Sequence, residues 1–230
     1  MIEVLHLLDG SLLHPIALTL KACAASLVLF AVVAVPLAWA CARHDGVATR
    51  FLMMAATLPL VLPPVALGYL LLLLLGIQGP VGSMLNALFG TRVIFSEGAV
   101  CLAAFVAGLP LVIRPVKIAF ESPALRELEA VARTCGAKPL TVFLTVTLPC
   151  VRNALLAALL LGTARASGEV GITMMIGGNV AGRTNTLSLE IFNAVSRGDF
   201  EAASFLCAVL TAVAIVLYAA LEVLRGRSTL

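Results

Sequence analysis

Long charge-free intervals dominate this chain. Residues 22–42 lie between Lys21 and Arg43, 51–91 between Arg50 and Arg92, 98–113 between Glu97 and Arg114, and 202–221 between Glu201 and Glu222. A fifth apolar segment, 153–176, is interrupted only by Arg165 and Glu169. A helix crossing a hydrocarbon core of about 30 Å needs roughly 20 apolar residues, so the pattern predicts five spans, at about 15–42, 51–76, 95–116, 150–176 and 201–224. The interval 51–91 is too long for one helix. Gly76, Gly79, Pro80 and Gly82 punctuate it, which ends the second span near Leu75 and predicts a loop over 77–95. The N-terminal run carries acidic Glu3 and Asp9 and no basic stretch ahead of its apolar part, so a true first helix is expected rather than a cleaved signal.

Composition narrows the class. Hydrophobic residues make up 61% of the 230 and charged residues only 12%, with a mean hydropathy of +1.10, against about 25% charged residues in soluble domains. A soluble globular protein is excluded, and the lack of alternating apolar and polar segments argues against an outer-membrane barrel. One all-α integral membrane domain over 1–230 is expected. The six cysteines show no Cys-x-x-Cys spacing and read as small packing residues, as do Met53, Met54, Met174 and Met175. His6, His14 and His44 are scattered near predicted membrane edges, so neither a metal site nor a catalytic trio is indicated. None of Lys21, Lys117 and Lys138 follows a glycine, so the chain carries no Gly-Lys phosphate loop and is not itself an ATPase. A nucleic-acid partner is not expected.

The basic residues orient the spans. With the N-terminus outside, the inner segments hold Arg43, Arg50, Arg114, Lys117, Arg126, Arg133, Lys138, Arg152, Arg225 and Arg227, and the outer segments only Arg92, Arg183 and Arg197. Positive charge accumulates on cytoplasmic segments, so an outside N-terminus and a cytoplasmic C-terminus are predicted. The region 114–152, with its loop 117–149, becomes the longest cytoplasmic stretch. Within it Ser122-Pro123 reads as a helix start, and Leu125, Leu128, Val131, Ala132 and Cys135 recur at helical spacing. Gly136 stops that helix and Pro139 starts another, so two short helices joined by Gly-Ala-Lys-Pro are predicted, ending at Leu148-Pro149 where the chain re-enters the membrane.

Here the sequence resembles the signature loop of ABC importer permeases: a Glu-Ala-Ala segment, a glycine, and an Ile-x-Leu-Pro ending. It reads Glu129-Ala130-Val131-Ala132-Arg133-Thr134-Cys135-Gly136, then Val146-Thr147-Leu148-Pro149. Counted back from Gly136, the usual Glu-Ala-Ala positions hold Ala130, Val131 and Ala132, with the glutamate one residue earlier. The resemblance implies a type I ABC importer permease fold with cytoplasmic coupling helices, and a coupling role toward a separate ATPase for Glu129, Ala132, Arg133, Gly136, Val146, Leu148 and Pro149. ATP and Mg would be bound by that partner and no cofactor by this chain. A short amphipathic helix docked in a partner's groove can transmit rigid-body motion to the spans it joins.

The segment after the loop sharpens the likeness. Arg165 and Glu169 stand four apart in an apolar stretch, with Ser167 and Gly168 between them; buried ionisable residues in spans face a partner or a cavity. A structural ion pair and a lining of the translocation route both remain open. The Arg-x3-Glu-x-Gly arrangement, Gly177-Gly178-Asn179, Arg183-Thr184 and the proline-rich Pro59-Leu60-Val61-Leu62-Pro63-Pro64 are together similar to the molybdate and tungstate permeases, over nearly the whole chain. Arg165, Ser167, Glu169, Pro59, Pro63, Pro64 and Asn179 are candidates for the pathway. The prolines free backbone carbonyls and act either as a fixed kink or as a hinge. The resemblance implies the five-span version, a homodimer in a bacterial or archaeal inner membrane, two cytoplasmic ATPase subunits and an extracytoplasmic binding protein that delivers the oxyanion. A sulfate or other oxyanion permease is the nearest alternative. An ion-coupled secondary transporter would show paired internal repeats, and none relates 15–113 to 150–224.

Overall fold

The computed structural model describes residues 13–226, whose regular elements are all helices, with no strand among them. Among the described residues three helices are long and apolar enough to cross a membrane: α1 (Leu13–Arg43), α5 (Glu97–Glu121) and α7 (Pro139–Ser167). Between them lie α2 (Val47–Leu60), α3 (Pro64–Leu75), α4 (Pro80–Phe89) and α6 (Pro123–Thr134). After α7 come α8 (Gly171–Gly177), α9 (Leu187–Ser196) and α10 (Phe200–Gly226).

Helix α5 is the axis of the bundle and packs against α1, α3's partner α8, and most extensively α7. Its inner face is built from Ala99, Ala103, Ala104, Ala107 and Gly108, and that of α1 from Ala22, Cys23, Ser26, Ala34, Ala38 and Cys41, all buried. Small residues let helix backbones approach in a medium where apolar side chains gain nothing over lipid. One close approach is the crossing of α5 and α7, where a Cβ on Gly108 would run into the Gly162 carbonyl and the Phe30 ring. Phe30 itself is fully buried, its ring 5.4 Å from that of Phe105.

Two long helices carry π turns, Phe30–Ala34 in α1 and Phe143–Thr147 in α7, and each ends two residues before a proline, Pro36 and Pro149. Proline lacks the donor that would close the preceding α turn, and a widened turn absorbs the mismatch without breaking the helix.

Four sequence expectations change. The second span, predicted as one helix over 51–76, is interrupted: α2 tightens into a 3₁₀ turn at Leu58–Leu60, and Pro63 is extended (φ −55°, ψ 136°) before α3 begins at Pro64. The predicted loop 77–95 contains helix α4, bent by 46° from α3. Its breakers mark the hinge instead: Gly79 precedes the helix, Pro80 opens it, and a Cβ on Gly82 would strike the Leu75 and Gly76 carbonyls. Finally, Leu148-Pro149 is not the end of a separate short helix, because α7 runs unbroken from Pro139 to Ser167. The fourth span therefore stops at Ser167, not 176, with a break at Gly168 before α8. The predicted first helix is observed from Leu13, and the acidic run ahead of it lies outside the described residues.

Candidate functional site

The loop singled out by sequence folds as α6, a tight turn and the start of α7. Ser122 occupies the position before α6 without a side-chain capping bond, and Pro123 is the first helical residue, where its missing donor costs nothing. At the other end the Gly136 amide donates to the Arg133 carbonyl (2.9 Å) and the Ala137 amide to the Ala132 carbonyl (3.1 Å). This is a Schellman ending, and Gly136 supplies its left-handed residue at φ +82°. A Cβ there would meet nothing within 4 Å, so the glycine is needed for its backbone angle and not for space.

The apolar positions of α6 divide between two faces. Leu125 and Glu129, each 3% exposed, face the bundle with half-buried Ala132 beside them. Leu128 (51% exposed), Val131 (61%) and Cys135 form the adjoining outward stripe. The apolar positions of this helix thus fall on two adjoining stripes, Leu125 and Ala132 with Glu129 facing the bundle and Leu128, Val131 and Cys135 facing out.

Glu129 is the polar centre. Its carboxylate accepts hydrogen bonds from Arg43 Nη2 (2.5 Å) and Thr147 Oγ1 (2.6 Å), and Arg133 Nη2 stands 3.8 Å away. Arg126 Nη2 adds a bond to the Ala42 carbonyl at the end of α1 (3.4 Å). A cleft of about 320 Å³ opens beside them, its charged lining Arg43, Asp45, Arg126, Glu129 and Arg133. Burial pushes the Glu129 carboxyl upward, but the Arg43 and Thr147 hydrogen bonds and the Arg43 and Arg133 charges more than offset it, holding the group below the usual glutamate value. The carboxylate thus faces the bundle, toward Arg43 and Thr147. Arg133 and Gly136 are exposed, Val146 is half-buried, and Leu148 and Pro149 are exposed on the first part of α7.

The second candidate group gathers where α7 breaks. Arg165 Nη2 meets Glu169 Oε2 at 2.7 Å, with Glu169 almost fully buried and Arg165 38% exposed at the side chain. The pair does form, although not as an i,i+4 pair within a helix: Glu169 lies beyond the helix end, and its other oxygen accepts from the Ile172 amide (2.8 Å). The Ser167 carbonyl accepts from Ser188 Oγ (2.9 Å), which ties the break to α9. The interrupted second span reaches the same place. A Cβ on Gly171 would lie 2.8 Å from Pro64 Cβ, and one on Gly68 2.8 Å from Met175 Cβ, so α3 and α8 touch backbone to backbone. Pro63 and Pro64 are exposed beside this contact, while Pro59 sits upstream in the 3₁₀ turn.

Asn179 belongs to a different cluster. At φ +49° it follows Gly178, and its side chain exchanges hydrogen bonds with Asn193 (2.7 and 3.3 Å). Asn193, Asn185 and Arg197 all donate to Glu190, Arg197 at 2.9 Å. Glu190, Asn185 and Asn193 were not read as site residues from sequence. The available signal was one acidic residue in the otherwise uncharged run 184–196. Lys21 and Glu97 form another ion pair between α1 and the first turn of α5, both side chains largely exposed. Among the described residues no group of three or more His, Cys, Asp or Glu side chains could hold a metal ion.

Residues 34–227 match the family model described as binding-protein-dependent transport system inner membrane component. The chain is 37% identical over 194 residues to the molybdenum transport system permease protein ModB of Azotobacter vinelandii, covering 84% of this chain and 85% of that one. It is 39% identical over 201 residues to the protein of the same name from Mycobacterium tuberculosis (87% and 75%). The chloroplastic sulfate permease 2 of Chlamydomonas reinhardtii is 35% identical over 210 residues, 91% of this chain and 56% of that one. Among solved structures, a chain of the bacterial alginate ABC transporter in complex with its alginate-bound periplasmic protein superposes with a TM-score of 0.75 at 18% identity, covering 95% of this chain and 80% of that one. The all-helical fold is therefore the type I ABC importer permease fold that the signature loop implied. With the family model spanning residues 34–227 and relatives of this identity along most of its length, the chain belongs to the inner membrane components of binding-protein-dependent transport systems.

Proposed function

We propose that this permease subunit translocates molybdate, or the chemically similar tungstate, handed over by an extracytoplasmic binding protein and driven by cytoplasmic ATPase subunits that bind ATP and Mg. The observation that carries the substrate is the 37% identity to a molybdenum permease over 84% of the chain. The observation that supports the drive is α6, a short helix whose Leu128 and Val131 face outward while its adjoining face is bound to α1 and α7. Such a helix fits a groove on a partner and passes that partner's displacement to two spans. The accumulation of arginine and lysine around α6 supports a cytoplasmic position for it, with the N-terminus outside and the C-terminus inside. Arg133, Gly136, Val146, Leu148 and Pro149 then lie along the ATPase-facing side.

The route for the oxyanion follows from where the backbone is irregular. Polar backbone at membrane depth is tolerated only against protein or water, and the breaks at residues 61–63 and 168–170 meet through Pro64 and Gly171. Two copies of the chain facing each other would enclose this region, with Pro59, Pro63, Pro64, Arg165, Ser167 and Glu169 along the passage and Asn179 toward its outer end. Arg165 is already neutralised by Glu169, which avoids a deep trap for a dianion; a passage must let its ion leave.

The test is ATPase activity of the reconstituted complex in liposomes with the binding protein loaded with molybdate, tungstate, sulfate or nothing. Stimulation by molybdate and tungstate alone is the expected result. Equal stimulation by sulfate would move the chain to the sulfate reading, which the 35% identity to the algal sulfate permease favours as the second choice. No stimulation by any ligand would overturn the proposal.

A further inference from the structure

We infer that Glu129 is a positioning residue: its buried carboxylate clamps α6 to the ends of α1 and α7, so that the three move as one body, and it does not touch the ATPase itself. The inference rests on the coupling role proposed above for α6. Three elements converge on one group, Arg43 from the last turn of α1, Thr147 from the end of the π turn in α7, and Arg133 from α6. The carboxylate is turned away from the outward stripe of Leu128 and Val131. Counted from Gly136, the glutamate precedes the signature position, which Ala130 fills on the exposed side. One residue is about 100° of helix rotation, enough to carry a side chain from the surface to the inside.

The clamp also explains why so short a helix can hold a fixed attitude. Leu125 is the one fully buried apolar side chain of α6, too little to seat a helix of 12 residues by packing alone. The remaining fixation is polar. Arg43 Nη2 and the Thr147 hydroxyl both donate to Glu129 Oε1, and Arg126 reaches the Ala42 carbonyl beside Arg43. A push on the outward stripe is then delivered through Arg43 to α1 and through Thr147 to α7, the two helices whose inner ends carry those residues.

The experiment compares Glu129→Gln, Thr147→Val and the charge swap Arg43→Glu with Glu129→Arg. It reads amide hydrogen exchange of 123–134 in the detergent-solubilised chain, co-purification of the ATPase, and molybdate taken up per ATP hydrolysed in liposomes. Glu129→Gln should speed α6 exchange and lower uptake per ATP by about tenfold, within the usual range of coupling between sites, while the ATPase still co-purifies. Thr147→Val should move both readouts the same way by less, and it carries the test if Glu129→Gln does not accumulate in the membrane. The swap should recover part of the loss. Unchanged exchange and unchanged coupling in both single variants would overturn the inference. So would loss of the ATPase from Glu129→Gln with α6 exchange unchanged, because that assigns Glu129 to the contact itself. If even the native chain recruits no ATPase, the coupling role of α6 fails, and the exchange measurement still decides whether the clamp exists.

Discussion

Arg43 and Glu129, 86 positions apart in the chain, meet at 2.5 Å, and this contact joins the end of the first long helix to the short helix that precedes α7. The guanidinium is 23% exposed and the carboxylate 4% at the side chain. A pair so enclosed contributes less to stability than its geometry suggests, because desolvating both charges is costly, yet losing one partner leaves the other charge buried and alone. Its value lies in fixing position.

The contact sets a pH dependence. The Glu129 carboxyl is held below its ordinary value, burial opposing and the Arg43 and Thr147 bonds with the Arg43 and Arg133 charges prevailing. A carboxyl lowered in the folded state contributes stability above its unfolded value, about 4.3, and loses it as pH falls through the folded value. Amide protection of α6 should therefore be flat from neutral pH down to about 5 and decline in stronger acid, whereas Glu129→Gln should show low protection at every pH. Asp45 lines the same cleft, and Asp45→Asn serves as the control for it. A decline that persists unchanged in Glu129→Gln would assign it to another group.

Gly136 should tolerate residues by backbone angle and not by size. At φ +82° with open space around its Cβ direction, alanine or valine costs about 1–2 kcal/mol for the left-handed conformation, and asparagine less. Uptake and amide protection of the turn should rank glycine, asparagine, alanine, valine. Equal behaviour of asparagine and valine would show that the left-handed angle is not what the position requires.

The crossing of α5 and α7 should behave in the opposite way, limited by space. Gly108→Ala places a methyl against the Gly162 carbonyl and the Phe30 ring, and Gly162→Ala places one against Val112. Overpacking of this kind costs about 1–3 kcal/mol, and because the two glycines share one contact their effects should be less than additive. Thermal unfolding of the detergent-solubilised single and double variants measures both.

The outward stripe gives a separation of folding from partnership. Leu128→Asp and Val131→Asp change side chains that are 51% and 61% exposed in the isolated subunit, so each should alter its stability by no more than about 0.5 kcal/mol. Both should abolish co-purification of the ATPase. Retention of the ATPase in the double variant would place the docking surface elsewhere.

Much of this architecture was legible along the chain. Charge-free runs located α1, α5 and α10, and the Ser122-Pro123 start and Gly136 stop bounded α6 to within a residue. Signals of this kind are local: a span is recognised by its length, a helix end by the dihedral angles that proline and glycine impose. The interruptions were harder. Gly79, Pro80 and Gly82 are breakers in any local reading, yet here they form the tight hinge and first turn of α4, because the Leu73, Leu74 and Leu75 carbonyls sit close enough that only glycine fits.

Sequence alone determined that the protein is a helical membrane subunit, where α1 and α5 lie, and which loop carries the family's signature, because hydrophobic length, proline and glycine act within a few residues. Tertiary structure alone decided that Glu129 faces inward to Arg43 and Thr147 while Leu128 and Val131 face out, that Pro64 lies against Gly171, and that Asn179 joins Asn193 and Glu190. Helical periodicity states which residues share a face but not which face meets the bundle, and that choice belongs to partners as far away as Arg43.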